Sequence, residues 1–319
     1  ILPAIHGSAW GYRHRARFAA RFVHKKDGSL VGFHERRGRY VADMTSCEVV
    51  PPRISALLVP LRGLINTLST RERIPQIELA IGDDTDALVL RVLEPLSERD
   101  EQLVRAFADT YRVQFFLQPK GPDTVAPFHP PHDGLLTYSL PEFALELKFS
   151  PTEFTQVNAA VNSVLVRRAM RLLEPQAGER IADMFCGLGN FSLAIARSGA
   201  SVVGFEGVRG LVARAQANAA HNGLAGRSEF RRRRGTGEGT AGGCAAAHRL
   251  RLLQSGNSGA RRRRARSRQG LQAQSGGGGE HVPAYLARRV DRAVRARIKK
   301  GHPQMPFLVL LQIVSRDCP

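Results

Sequence analysis

The chain has 319 residues, 43% of them hydrophobic, and no apolar run approaches the ~18 residues of a membrane helix, so about two domains with true cores are expected, in the cytoplasm. The net charge of +19 suggests a nucleic-acid partner, but residues 1–230 carry 27 basic against 24 acidic residues and residues 231–319 carry 20 against 4. Four cysteines without paired spacing, Cys47, Cys186, Cys244 and Cys318, argue against a disulfide framework.

From residue 12 to 49 the pattern is strand-like: Arg13, Arg15 and Arg17 alternate with other residues, and Asp27-Gly28 makes a tight hairpin turn before residues 30–35. A sheet with one charged face is expected. A second hairpin fits residues 77–81 and 87–93, joined by a polar Gly-Asp-Asp-Thr-Asp loop. Ser97 can cap a helix through about Tyr111, with Leu103 and Phe107 at i, i+4 spacing. Residues 113–117, 136–140 and 143–149 read as further strands, which makes residues 1–150 one α+β domain.

Pro151-Thr152-Glu153 then opens an amphipathic helix bearing Val161, Val164, Leu165 and Met170 and ending near Glu174. Strand 180–185, helix 190–197, strand 201–205 and helix 208–222 follow, closed by Asn222-Gly223. Alternating strands and helices are what a parallel, doubly wound sheet produces, so 151–230 reads as a Rossmann-like α/β domain. Within it, Gly187 and Gly189 let the backbone approach a ligand at a helix start. Glu206 falls about twenty residues after Gly187, where a carboxylate can accept from ribose hydroxyls. The order of elements favours a dinucleotide or S-adenosylmethionine site over a structural turn.

Beyond Phe230 neither period survives. The segment is rich in Arg, Gly and Ala, and a disordered basic tail is expected over 231–319, with isolated helices such as 282–298 at most and no strands to complete the sheet.

Residues 10–224 closely resemble the bacterial 23S ribosomal RNA uracil-5 methyltransferases, in the branch that also carries an iron–sulphur cluster. The runs that carry the resemblance are Trp-Gly-Tyr-Arg-His-Arg-Ala-Arg (10–17), Phe-Ser-Pro-Thr-Glu-Phe-Thr-Gln-Val-Asn-Ala-Ala-Val-Asn (149–162) and Asp-Met-Phe-Cys-Gly-Leu-Gly-Asn-Phe-Ser (183–192). Ala-Ser-Val-Val-Gly-Phe-Glu-Gly-Val (200–208) and Ala-Asn-Ala-Ala-His-Asn-Gly-Leu (217–224) extend it. It implies that Gln156, Phe185, Asn190 and Glu206 line an S-adenosylmethionine site. Glu206 would bind the ribose, Phe185 would offer an apolar wall, and the amides of Gln156 and Asn190 would exchange hydrogen bonds with the amino-acid end. The alternative for both amides is a cap or turn role. Asp183 is expected to help hold the glycine turn, and Cys186 to be a small buried side chain rather than a nucleophile.

Arg13, Arg15 and Arg17, with Trp10 and Tyr12, form a candidate RNA surface, or else a solvated strand face. Cys47 resembles one of four ligands of a 4Fe-4S cluster. The other three would come from a segment N-terminal to Ile1, with a small RNA-binding barrel. The resemblance implies 23S ribosomal RNA as partner, and a monomer is expected. Its chemistry needs a cysteine that attacks uracil C6 and a glutamate that removes the C5 proton. The loops that would bear them do not occur after residue 224, and neither Cys244 nor Cys318 has a suitable context, so no catalytic residue is assigned. The change of composition near Phe230 is what a reading-frame shift in a GC-rich gene would encode. Out-of-frame translation after about 230 is therefore expected, together with incomplete catalysis. The competing readings are an RNA-binding protein that uses its Arg-rich tail and, more weakly, a nicotinamide enzyme.

Overall fold

Alternation of apolar and charged side chains over β1 (Arg15–Val23) buries Ala16, Phe18 and Ala20 and leaves Arg17 and Arg21 exposed. This is seen in a computed structural model that describes residues 4–36, 38–232 and 307–310. A short helical turn ending at Asp27, in the left-handed region, leads into the antiparallel β2 (Gly28–Gly32). Helices α1 (Pro52–Ser55) and α2 (Leu58–Thr67) follow. The expected second hairpin is β3 (Gln76–Ile81) with β4 (Asp86–Arg91). Ser97 caps α3 (Glu98–Tyr111), its hydroxyl accepting from the Asp100 amide at 3.2 Å. Strand β5 (Gln114–Gln118) then lies parallel to β4, as a helical crossover requires, and β6 (Ala126–His129) closes the sheet.

The resulting order is β2-β1-β3-β4-β5-β6. The central strands are buried on both faces. Ile77, Leu79, Leu88, Leu90 and Phe115 pack with α2 and α3, while Ala80, Ala87, Val89 and Phe116 join a second core made mostly of later residues. The expected junction near residue 150 is thus a change of sheet within one compact unit that holds all described residues.

The second core is built on the hairpin of β7 (Leu136–Leu140) and β8 (Leu145–Phe149), helix α4 (Ala159–Leu173), and an α/β succession. That succession runs β9 (Arg180–Asp183), α5 (Ser192–Arg197), β10 (Ser201–Glu206), α6 (Arg209–His221) and β11 (Ser228–Arg232). Helix α4 begins eight residues later than Pro151-Thr152-Glu153 suggests. Those residues form a loop, in which Ser150 N donates to Glu153 Oε2 at 2.7 Å, and Asn158 takes the cap by accepting from Val161 N at 2.9 Å.

The expectation of no strand beyond Phe230 is corrected at β12 (Phe307–Leu310), which pairs in parallel with β9. A run of successive apolar residues, Phe-Leu-Val-Leu, is the composition common in parallel strands. The parallel sheet has the order β11-β10-β9-β12. The rest of the expected tail, with Cys244, Cys318 and the helix over 282–298, lies outside the described residues. Among the described residues no helix is long and apolar enough to cross a membrane.

Candidate functional site

The strand order reverses at β9, since β10 and β11 lie on one side of it and β12 on the other. In open parallel sheets that reversal opens a crevice at the carboxyl ends of the strands, where ligands bind. The glycine turn stands there. Gly187 and Gly189 have φ of +55° and +104°, conformations that residues with a Cβ rarely adopt. A Cβ on Gly189 would also lie 3.1 Å from Leu193 Cγ.

Three side chains shape the turn. Asp183, fully buried at the end of β9, accepts from Phe185 N at 3.2 Å and from the Ser192 hydroxyl at 2.8 Å, and so ties the turn to α5. Burial raises its carboxyl to about 6, the two hydrogen bonds oppose that rise, and the charge of Glu206 adds to it. Glu206, at the end of β10, accepts from Gly187 N at 3.2 Å through Oε2, and from Gly207 N and Val208 N at 2.7 and 3.0 Å through Oε1. Neither carboxylate forms an ion pair with a described residue. Cys186 is fully buried, and burial followed by the charges of Asp183 and Glu206 pushes its thiol up, which makes it a packing group as expected.

Phe185 is half-buried on the turn. Gln156 is half-buried in the loop before α4, and its amide has no hydrogen-bond partner among the described residues. That loop is anchored from three directions. Val157 O accepts from His14 N at 2.7 Å, the Glu153 carboxylate accepts from Arg214 at 3.1 Å, and Glu153 O accepts from the Arg15 guanidinium. Asn190 is only 4% exposed, and its amide is engaged with Asn162 and Tyr138.

These groups fit S-adenosylmethionine. The two glycines hold the backbone in a cradle that a Cβ would strain, Phe185 offers apolar surface, Gln156 offers an uncommitted amide, and two unpaired carboxylates suit a cationic ligand. The cluster ligands fit less well. Cys47 is buried, its amide donates to Ser55 Oγ at 2.8 Å, and Cys186 is the other described cysteine. Among the described residues no group of three or more His, Cys, Asp or Glu could hold a metal. They therefore do not supply a four-thiolate set.

The three arginines of the basic strip differ in their surroundings. Arg13 is half-buried, with its backbone amide on Val49 O. The side chain of Arg15 is 20% exposed, lies 4.0 Å from Glu78 and donates to Glu153 O, so it faces inward rather than toward a polyanion. Arg17 is 66% exposed but pairs at 2.9 Å with Glu78, its cross-strand neighbour. Trp10 is 61% exposed. The alternation that suggested a free charged face could not show Glu78 beneath it.

Several site-building residues lie within the runs that carry the family resemblance. Asn218 donates to Lys148 O and Leu188 O at 3.1 and 3.0 Å and accepts from Lys148 N at 2.9 Å. Asn222 repeats this pattern on Glu146 one helical turn later, so α6 extends the edge of β8 through side-chain amides. The i, i+4 spacing of two asparagines was the signal available in the sequence.

Residues 139–231 match the family tRNA (Uracil-5-)-methyltransferase. Over 230 residues the chain is 59% identical to a 23S rRNA (uracil(1939)-C(5))-methyltransferase RlmD of Nitrosospira multiformis, covering 72% of this chain and 52% of that protein. It is 61% identical to the protein of the same name from Burkholderia pseudomallei, covering 72% and 49%. The chain thus spans about half the length of the curated relatives it matches. In fold it is similar to Pyrococcus abyssi tRNA (uracil-54, C5)-methyltransferase in complex with S-adenosyl-L-homocysteine, with a TM-score of 0.56 and 20% identity, covering 74% of this chain and 58% of that one.

Proposed function

We propose, because the chain belongs through residues 139–231 to the tRNA (Uracil-5-)-methyltransferase family, that it binds S-adenosylmethionine for methylation of uracil C5 in 23S ribosomal RNA, in the cytoplasm. The observation that carries this reading is the backbone geometry at the end of β9. There a turn with two left-handed glycines leads into α5, and the Glu206 carboxylate reaches back to the Gly187 amide.

When bound, the cofactor supplies an electrophilic methyl group. Glu206 would accept from a ribose hydroxyl with the lone pair that its three amide partners leave open. Phe185 would cover an apolar face, and Gln156 with Asn190 would hold the amino-acid end. The unpaired Asp183 and Glu206 support a ligand bearing a sulfonium and an ammonium over one bearing a pyrophosphate, which two carboxylates repel. Methylation at C5 also needs a nucleophile on C6 and a base for the C5 proton. Cys186 supplies neither function, being buried inside the cofactor turn with its thiol held protonated. The described residues therefore carry the cofactor half of such a site.

Titration calorimetry with S-adenosylhomocysteine tests the reading. The chain is expected to bind it, and Glu206→Gln to weaken it about tenfold, the loss of one charge-assisted hydrogen bond. Absence of binding by the unaltered chain refutes the assignment.

A further inference from the structure

We propose that Asn162 is a positioning residue for the cofactor, acting with Tyr138 through Asn190. The inference rests on the cofactor reading above and specifies which ligand group Asn190 meets. Asn162 on α4 and Asn190 at the glycine turn form a reciprocal amide pair, each Nδ2 donating to the other's Oδ1 at 2.9 Å. The Tyr138 hydroxyl, from β7, donates to the same Asn190 Oδ1 at 2.9 Å.

A side-chain amide has one oxygen with two lone pairs and one nitrogen with two hydrogens. Both lone pairs of Asn190 are spent, one on each partner, whereas only one of its N–H groups is. What Asn190 retains is a single donor. The orientation is fixed by Tyr138. Turning the amide over would place an N–H against the hydroxyl and deprive the hydroxyl hydrogen of its acceptor in a buried site, an unfavourable exchange. Both asparagines are 4% exposed, so water competes little with the pair.

Asn190 directly follows Gly189, at the turn proposed to face the amino-acid end of the cofactor. A group that can only donate there selects an acceptor, which is the α-carboxylate rather than the α-ammonium. The give-and-take expected of Asn190 thereby narrows to giving, and Asn162 and Tyr138 are what narrow it.

The test compares two ligands on the full chain by calorimetry. S-adenosylhomocysteine carries the α-carboxylate, whereas 5′-methylthioadenosine keeps the adenosine and sulfur but lacks the amino-acid end. Asn162→Leu is expected to weaken S-adenosylhomocysteine about tenfold and to leave 5′-methylthioadenosine within about twofold. Tyr138→Phe is expected to shift the same ligand in the same direction by a smaller factor, and Asn162→Ala carries the comparison should the leucine variant fail to fold. General loosening of the site would weaken both ligands alike. That equal loss, or an unchanged affinity for S-adenosylhomocysteine, overturns the proposal and leaves the cofactor reading standing. Failure of the unaltered chain to bind either ligand overturns both.

Discussion

Asp183 gives the sharpest test of how the site is held. Its carboxyl is fully buried, makes no ion pair with a described residue, and is raised to about 6 from the ordinary 3.8, chiefly by burial. A carboxyl raised in the folded state contributes stability that is fully present below about 3.8 and is lost as pH rises through about 6. The difference corresponds to about 3 kcal/mol. Asp183→Asn, neutral and of nearly the same shape, abolishes that titration. Urea unfolding followed by circular dichroism, at several pH values from about 4 to about 7.5, measures it. Across that range the unaltered chain should lose about 2.5 kcal/mol relative to the variant, the rest having been lost below pH 4, with most of the change complete near pH 6.5. An asparagine amide cannot accept on both sides as the carboxylate does, but that cost is the same at every pH and drops out of the comparison. Parallel curves would refute the reasoning, since they would mean that the bonds from Ser192 and Phe185 cancel the burial penalty.

Two further substitutions test the packing around the turn. In Gly204→Ala the new Cβ would lie 2.5 Å from Phe230 Cδ1 and 2.9 Å from Cys186 Sγ. A cost of about 2 kcal/mol is expected, read as a fall of roughly 5 °C in thermal midpoint and partly recovered by Phe230→Leu. No recovery would place the strain in the backbone instead. Asn218→Leu would leave Lys148 N–H, Lys148 C=O and Leu188 C=O without these partners. It should destabilise by about 2 kcal/mol and speed hydrogen exchange at the Lys148 amide. An amide that stays protected would show that α6 does not hold β8 through Asn218.

The elements legible in the sequence were those that local chemistry decides. The alternation in β1, the hairpin of β3 and β4 and the Ser97 cap of α3 each rest on residues within a few positions of one another. Helices α1 and α2 lie where no element was expected, and they contain Pro52, Pro60 and Gly63, residue types that ordinarily interrupt helices. Both prolines fall in first turns, where a missing N–H costs little, and a Cβ at Gly63 would meet nothing within 4 Å. The loop before α4 departs from its local sequence pattern for a different reason. Pro151-Thr152-Glu153 is an acceptable helix start by itself, and its actual shape is imposed by Arg15 and Arg214, distant in sequence. The inward turn of Arg15 likewise follows from the register of β1 on β3, which sets Glu78 opposite Arg17.

Within the cofactor segment, the runs that carry the family resemblance mix ligand-facing groups with frame, and residue type alone does not separate them. Unspent hydrogen-bonding capacity does. Asn218 has both side-chain N–H groups committed to backbone carbonyls, as has Asn222, so neither can donate to a ligand without leaving a carbonyl of the frame unpaired. Asn158 spends its side-chain oxygen on the first turn of α4. Gln156 stands at the other extreme, with no partner among the described residues, and Glu206 lies between, holding three amides with a carboxylate that offers about four acceptor sites. Asn190 belongs to the frame through its oxygen and, in the proposed site, meets the ligand through one N–H. Two asparagines separated by 28 residues in one motif set can therefore have opposite roles, Asn218 as a strut and Asn190 as the proposed contact, because the frame consumes every donor of the first and leaves one donor of the second.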